Sequence, residues 1–546
     1  MKFYPFLTQT KINTLLHLSV ILQVLFFYFS VVAAPNIPLN FDGWIIEALN
    51  KLEVSGVTGG FHRHSLPLSR DDVAKIISRA ENRINSGEVT VSPLDGKLLE
   101  KLQQEFKSEI TDINLKETQK QSLQKTYIRI QPEIRLVNDK IAPALQSGFH
   151  YAVGNSNRFN VYTELEVSNF NQQQDFGQSY FLPESPPLLK SAEQRYETWH
   201  WDYVVDFKRA YLQYNLISFG DVEFNILAGR DYIYWGASPD KSVGISDNSP
   251  PFEHIRLTGL IPCKIGTLKA SAFTAQLNST WNDDGTTRYL AKRYLSAHRI
   301  DYQYSDWLEM GIAEWVLYGG DAQSVKWHYL NPILPYYAVQ YNAKNDDNIM
   351  LSFDVALLPI DGVRLYAEWL ADDFQYQSDS NDPHATSWLT GIEWYPLFIE
   401  RKLGIHTEYV RVNRWTYTHL DPDNQFTHFG TVIGHPIGTD ADMFSFRISY
   451  HASPSSIIES RYSHQRNGEA DITDRFYGED FENIPFPSGV VEALTEIRFG
   501  WNYRPLTAMK GSIYYSWRNT QNLEHKESES KQQHRLVLLL SYAWGN

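Results

Sequence analysis

The chain has 546 residues, with 49 Lys plus Arg against 64 Asp plus Glu and a formal net charge of −15. That acidity, with no basic block, excludes a nucleic-acid footprint, and after the N-terminus no stretch approaches the roughly 20 apolar residues of a spanning helix. Aromatic residues make up 14%, which suits rings standing at two membrane interfaces and, equally, the core of a large soluble all-β protein.

Residues 1–34 have the layout of a secretory signal peptide: Lys2 and Lys11, an apolar run from about Leu15 to Val32, then Ala33 and Ala34 before Pro35. Cleavage after Ala33 keeps Pro35 away from the cut, and an uncleaved anchor is the alternative. Loss of the two lysines takes the formal charge from −15 to −17. Cys263 is the only cysteine, so an internal disulfide is excluded, and so is a lipoprotein anchor near residue 34.

Residues 36–125 read as a small helical domain, placed in the periplasm by the direction of export. Trp44, Ile45, Ala48, Leu49 and Leu52 recur at helical spacing. Ser69 and Asp72 form a capping-box pattern ahead of Val73, Ile76, Ile77, Ala80 and Ile84. Ser92-Pro93 offers an N-cap with proline at the first helical position, followed by the apolar stripe Leu98, Leu99, Leu102 and Phe106.

From about Tyr127 to the C-terminus the period changes from 3.6 to 2. Phe159, Val161, Thr163, Leu165 and Val167 alternate with Asn160, Tyr162, Glu164, Glu166 and Ser168, and Phe444, Phe446, Ile448 and Tyr450 alternate with Ser445, Arg447, Ser449 and His451. A soluble sandwich alternates in the same way, so loop length is the discriminator. Short connections near 154–157, 218–221, 263–266, 305–307, 359–362, 396–401, 452–455 and 504–507 separate long ones at 170–205, 232–254, 277–294, 319–348, 372–385, 413–440, 466–492 and 519–532. Periplasmic turns and extracellular loops alternate in this manner in outer-membrane barrels. With 138–145 as the first outer loop, the pattern predicts an all-β transmembrane barrel over 127–546. It has about eighteen antiparallel strands of roughly 8–12 residues each, a length that suits a tilted crossing.

No HExxH, GxSxG, P-loop or CxxC pattern is present, so the expectation is a non-enzyme with no cofactor and no metal. Asp421, Asp423 and Asn424 lack the spacing and glycine of a calcium loop and read as a solvated turn. A hydrolase on the barrel's outer wall would need a Ser and a His, for which no pair can be nominated.

Gly229-Arg230-Asp231 with Trp235-Gly236, followed by Ser246-Asp247-Asn248-Ser249-Pro250-Pro251-Phe252, resembles the central stretch of the Wzi family of capsule-assembly proteins. Tyr329-Leu330-Asn331-Pro332 is similar to a second element of that family, and Asp354, Tyr366, Glu368 and Asp372-Asp373 to a third. The resemblance covers nearly the whole mature chain with its motifs in order. It implies a non-enzymatic outer-membrane lectin that associates capsular polysaccharide or exopolysaccharide with the cell surface, with helices closing the periplasmic mouth. Outer-membrane lipid and lipopolysaccharide are the other expected partners, nucleic acid is not one, and a monomer is favoured.

Among the motif residues, Arg230, Tyr232, Tyr234, Trp235, Asp247 and Asn248 are the candidate polysaccharide contacts. Rings stack on the apolar faces of sugars, and a guanidinium forks onto carboxylates. The competing role is structural: Arg230 would pair with an acid, and Pro250-Pro251 would stiffen a loop folded into the barrel. Arg364, Glu368, Asp372 and Asp373 read as a luminal charge ladder. The rival function is a porin or polysaccharide-export channel, which needs the same polar lumen but an open one.

Overall fold

The computed structural model of the chain describes residues 43–114, 124–137, 144–155, 159–168, 204–219, 222–283, 288–373, 384–474, 484–506 and 509–542. The segment 1–34, read above as a signal peptide, and most of the long connection at 170–205 lie outside the described residues.

Four helices come first: α1 (Trp44–Val54), α2 (Arg70–Asn85), α3 (Pro93–Glu105) and α4 (Lys107–Asn114). The Ser69 hydroxyl accepts from the Asp72 N–H while the Asp72 carboxylate accepts from the Ser69 N–H, so the capping box forms as its residues dictate. The Ser92 hydroxyl caps α3 by accepting from the Asp95 N–H, with Pro93 in its first turn. The apolar stripes of α1 to α3 bury one another: Leu49, Leu52, Val73, Ile77, Ala80, Leu98 and Leu102 form the centre of this small core. A buried Lys51–Asp95 pair ties α1 to α3. Helix α4, unanticipated in the sequence, follows α3 after a single break at Phe106. Its Glu109 and the Glu105 of α3 both pair with Arg70, at 2.6 and 3.1 Å.

Eighteen described strands form the wall, from Gln124–Val137 to Ser530–Tyr542, and each pairs antiparallel with its neighbours in chain order. The first and last also pair, Glu133 opposite Ser541 through Val137 opposite Val537, so the sheet closes on itself and leaves no edge. Side chains alternate as a barrel in lipid requires. On the strand Leu308–Asp321 the outward Ile312 is exposed, whereas the inward Glu309, Trp315 and Leu317 are buried. Around the wall Ile300, Phe353, Trp369, Trp388, Phe444, Ile458 and Phe499 are exposed, while Arg299, Asp354, Arg364, Glu408 and Glu496 are buried. In water that inversion would leave hundreds of Å² of apolar surface wet at about 25 cal/mol per Å². Against acyl chains it costs nothing, and this observation separates the barrel from a soluble sandwich.

The connections match the alternation read from the sequence. Turns at 263–266, 306–307, 361–362 and 454–455 occupy one end, and loops at 232–251, 322–347 and 413–440 occupy the other. Described strands run to 18 residues, longer than predicted, because Arg288–Ser305 begins inside the segment read as the loop 277–294. Its first residues, Arg288 to Arg293, mix Arg288, Lys292 and Arg293 with Leu290 and Ala291, so no clean apolar alternation marks this end of the strand.

The helices sit on the short-turn end, which faces the periplasm in outer-membrane barrels. Arg83 pairs with Asp306 at 2.9 Å, and Lys101 donates to the carbonyls of Pro454 and Arg504. The Gly362 N–H donates to the Val54 carbonyl at 2.6 Å, Arg401 donates to the Ser55 carbonyl, and Lys75 meets Glu223.

Candidate functional site: a filled lumen and its outer mouth

The segment after α1 climbs from the helical domain into the barrel, where His64 is fully buried. Its Ser65 and Leu66 pair in antiparallel register with Trp235 and Tyr234. Those two belong to the loop 232–251, which turns inward across the lumen. Helical domain and outer loop therefore meet inside the barrel through a two-stranded bridge.

The inward faces of the strands hold this loop with charge. Glu368 accepts from the Ser238 N–H (2.7 Å), the Ser242 hydroxyl (2.8 Å) and the Val243 N–H (3.0 Å). Glu408 accepts from the Ser238 hydroxyl and from the Tyr366 hydroxyl, each at 2.7 Å. Asp240, at the loop's tip, meets Arg447 at 3.1 Å and Arg461 at 3.2 Å. Burial alone would raise the Asp240 pKa, but the two guanidinium groups outweigh it and hold the carboxyl well below the usual range. Arg364 pairs with Glu393 at 2.9 Å and donates to the Ala237 carbonyl at 2.8 Å. Glu393 also pairs with Arg63 at 3.0 Å, which extends the network back to Glu53 of α1. Beside it, His64 lies 2.6 Å from Asp354, which forms an ion pair with Arg299 at 2.7 Å.

The loop 413–440 fills the outer half. Its Phe426 stacks on Trp315 (centroids 5.8 Å apart, planes at 16°), and the Tyr417 hydroxyl donates to the Val243 carbonyl at 2.6 Å. The Ser246 hydroxyl donates to the Gly434 carbonyl at 2.8 Å, and Arg293 donates to the Asp423 carbonyl at 2.7 Å. One buried apolar cluster results, including Trp235, Ile245, Phe273, Trp315, Tyr417, Phe426 and Ile433. It joins both inner loops to the wall from the strand Phe252–Pro262 round to the strand Ala441–Ser453. His428 and His435 lie within the packing, and desolvation pushes each down to about 3. Contrary to the solvated turn expected there, Asp423 and Asn424 are buried. The Tyr289 hydroxyl and the Asn348 amide reach into that turn and replace water.

The structure distributes the six candidate contacts over different places. Arg230 stands on the outward face at the outer rim, 3.4 Å from Glu253. Tyr232 lies under the inward guanidinium of Arg209, 5.5 Å from the ring centroid. Tyr234 and Trp235 are 4% and 3% exposed, with the Tyr234 hydroxyl donating to the Ser238 carbonyl. Asp247 pairs with Lys241 at 2.7 Å, and the Asn248 amide donates to the Val432 carbonyl at 2.8 Å. Arg230 and Trp235 are thus on opposite sides of the wall and do not form one platform. Of the luminal residues, Arg364 and Glu368 face inward but bind different partners. Asp372 accepts from the Tyr417 N–H at 2.5 Å, and Asp373 is opposite Ala385 in the strand register. Sequence reasoning did not single out Asp240, Glu408, Arg447 and Arg461 as one group. Inward parity of Glu408, Arg447 and Arg461 on three separate strands was the only local signal, and Asp240, in a loop, had none.

The family described as capsule assembly protein Wzi matches residues 142–534. Comparison with curated protein sequences gives no match. Among solved structures, the Escherichia coli protein titled Wzi, an outer membrane protein involved in group 1 capsule assembly and a carbohydrate-binding β-barrel, is 13% identical. It superposes with a TM-score of 0.60, covering 93% of this chain and 99% of the other. Pseudomonas aeruginosa OccD3 (11% identity, 77% and 91% coverage, TM-score 0.43) and OprD (10%, 78% and 95%, 0.41) are more distant. A closed, inverted eighteen-strand barrel with this match over most of its length places the chain in the outer membrane and in the Wzi family of capsule-assembly proteins.

Proposed function

We propose that this protein binds capsular polysaccharide or exopolysaccharide at the cell surface and organises it there without chemically altering it. The observation that carries the reading is the filled lumen. Two long loops and a segment of the helical domain occupy the interior as a hydrogen-bonded, apolar-centred body, which suits a rigid surface platform and not a conduit. The Escherichia coli relative, a carbohydrate-binding barrel, supports the same reading. Within it, Arg230 on the outer rim and Tyr232 at the start of the loop 232–251 are proposed polymer contacts at separate points of the mouth, with Tyr234, Trp235, Asp247 and Asn248 holding that loop. Processing of residues 1–34 on export, a helical unit over 36–125 and a monomeric barrel over 127–546 belong to the same proposal.

Two measurements test it. Full-length protein in planar bilayers is expected to show negligible steady conductance. A stable open pore would favour the export-channel reading. Purified surface polysaccharide is expected to bind intact protein in a pull-down and to be recovered at unchanged chain length. No binding to the polymer of the source cell would overturn the lectin reading.

A further inference from the structure

The loop 322–347 behaves differently from the two that fill the lumen. On the strand Leu308–Asp321 the even-numbered positions face outward, as the exposed Ile312 shows, yet Val316 and Tyr318 are fully buried. What covers them is this loop: Tyr329 and Tyr336 pack on Val316 and Tyr318 in one cluster with Tyr294, Val339 and Ile349. The connection therefore folds down over the outside of the wall and carries a short helix, α5 (Tyr336–Ala343). Outward-facing Glu314 caps that helix, accepting from the N–H groups of Tyr336 (2.8 Å) and Tyr337 (2.9 Å). His298 lies 3.1 Å from Glu314 and packs against Tyr336, with ring centroids 4.4 Å apart and planes tilted by 38°. With a rise of about 3.3 Å per residue and a tilt of about 40°, Glu314 and Tyr318 lie roughly 15 and 25 Å above Leu308, within an apolar band about 25 Å tall.

We propose that residues 327–343 form a monotopic anchor lying in the outer leaflet of the membrane, with lipid as the occupant of their outward face. From Trp327 to Ala343 the segment holds no Asp, Glu, Lys or Arg, and Lys326 and Lys344 flank it. Its outward face is apolar and aromatic: Trp327 is 84% exposed, Ile333 84%, Tyr341 79% and Tyr337 60%. That face continues the lipid-facing belt of Ile312, Leu351 and Phe353. The backbone is prepared for a medium without water. Pro332 and Pro335 lack N–H groups, the Ile333 N–H donates to Asn331 Oδ1, and Glu314 takes the first two N–H groups of α5. A buried clasp of Lys326 and Tyr329 on Asp347, at 2.7 Å each, fixes the segment to the wall. The anchor also shields the His298–Glu314 pair, which is costly against acyl chains. This inference does not depend on sugar binding.

Site-directed spin labelling of the full-length protein tests it. In a Cys263→Ser background, Tyr341→Cys and, separately, Ile333→Cys are labelled in phospholipid liposomes, with Phe353→Cys as the lipid-facing control and Glu527→Cys as the aqueous one. The expected result is faster relaxation by oxygen than by a water-soluble nickel chelate at 341 and 333, as at 353. Accessibility to the chelate matching that at 527 would overturn the anchor. Protection from both reagents, as beneath a second copy of the chain, would overturn it too.

Discussion

Asp240 shows how one side chain can hold a loop across a barrel. It projects from the loop 232–251 to Arg447 and Arg461 on two adjacent strands, and those arginines repeat the inward parity of their strands. Removing the carboxylate leaves cations without their shared anion in a partly desolvated interior, at a cost of about 3–5 kcal/mol. Asp240→Ala is therefore expected to lower the temperature at which the folded barrel converts to its slow-migrating unfolded form on heating in detergent. An unchanged transition would show that the loop is held by its other contacts. Trp235→Ala has a related expectation from packing alone: a buried indole lost from the luminal cluster costs about 3–5 kcal/mol. Arg230→Ala, at the outer rim, is expected to leave that transition within about 0.5 kcal/mol while weakening polysaccharide retention. The sequence grouped Arg230 with Trp235 by proximity in the chain, but Arg230 stays on the strand Val222–Asp231 at the rim, whereas Trp235 lies in the loop that turns into the lumen.

The loop 413–440 carries a titratable signature at the scale of an element. His428 packs beside the Phe252 ring, accepts from the Asn278 N–H and has Arg293 and Arg230 nearby. His435 has Lys241 and Asp240 nearby, and its backbone N–H donates to the Tyr417 hydroxyl. Both rings are held neutral down to about pH 3 in the fold, whereas in the unfolded chain they take up protons near 6.5. Unfolding therefore binds protons between those values, so stability is fully present above about pH 6.5 and falls as the pH drops toward 3. Each ring contributes about 1.4 kcal/mol per pH unit over that window. Acidification from pH 7 to 4.5 is expected to raise the frequency of transient openings in planar bilayers, and His435→Gln with His428→Gln to flatten the dependence. A pH-independent record in the parent protein would show that the loop stays seated when protonated. The helical elements were the most legible. Ser69, Asp72, Ser92 and Pro93 are local signals with local consequences, and the caps form where they stand.

At the level of the whole molecule, three segments share one interior: the stretch of the helical domain around His64, the loop 232–251 and the loop 413–440. The Ser65–Trp235 bridge and the chain from Glu53 through Arg63, Glu393 and Arg364 to Ala237 mean that removing the helical domain removes one wall of the packing around the inner loop. Protein lacking residues 36–114 is expected to show conductance well above that of the full chain while remaining a folded barrel. Equal, negligible conductance would assign closure to the outer loops alone.

The sequence by itself determined the barrel. An alternation of period two, with short and long connections taking turns, specifies eighteen strands, their direction and the end that carries the turns. Strand parity needs only near neighbours, and the bilayer imposes the same inside-out rule on every strand. Tertiary structure alone decided where the long loops go. Loops 232–251 and 413–440 turn into the lumen because Glu368, Glu408, Arg447 and Arg461, far apart in the chain, converge there. The loop 322–347 folds outward because Glu314 and Tyr318 offer it a seat on the lipid side. Each destination depends on contacts between residues separated by tens to hundreds of positions, and no local period encodes them.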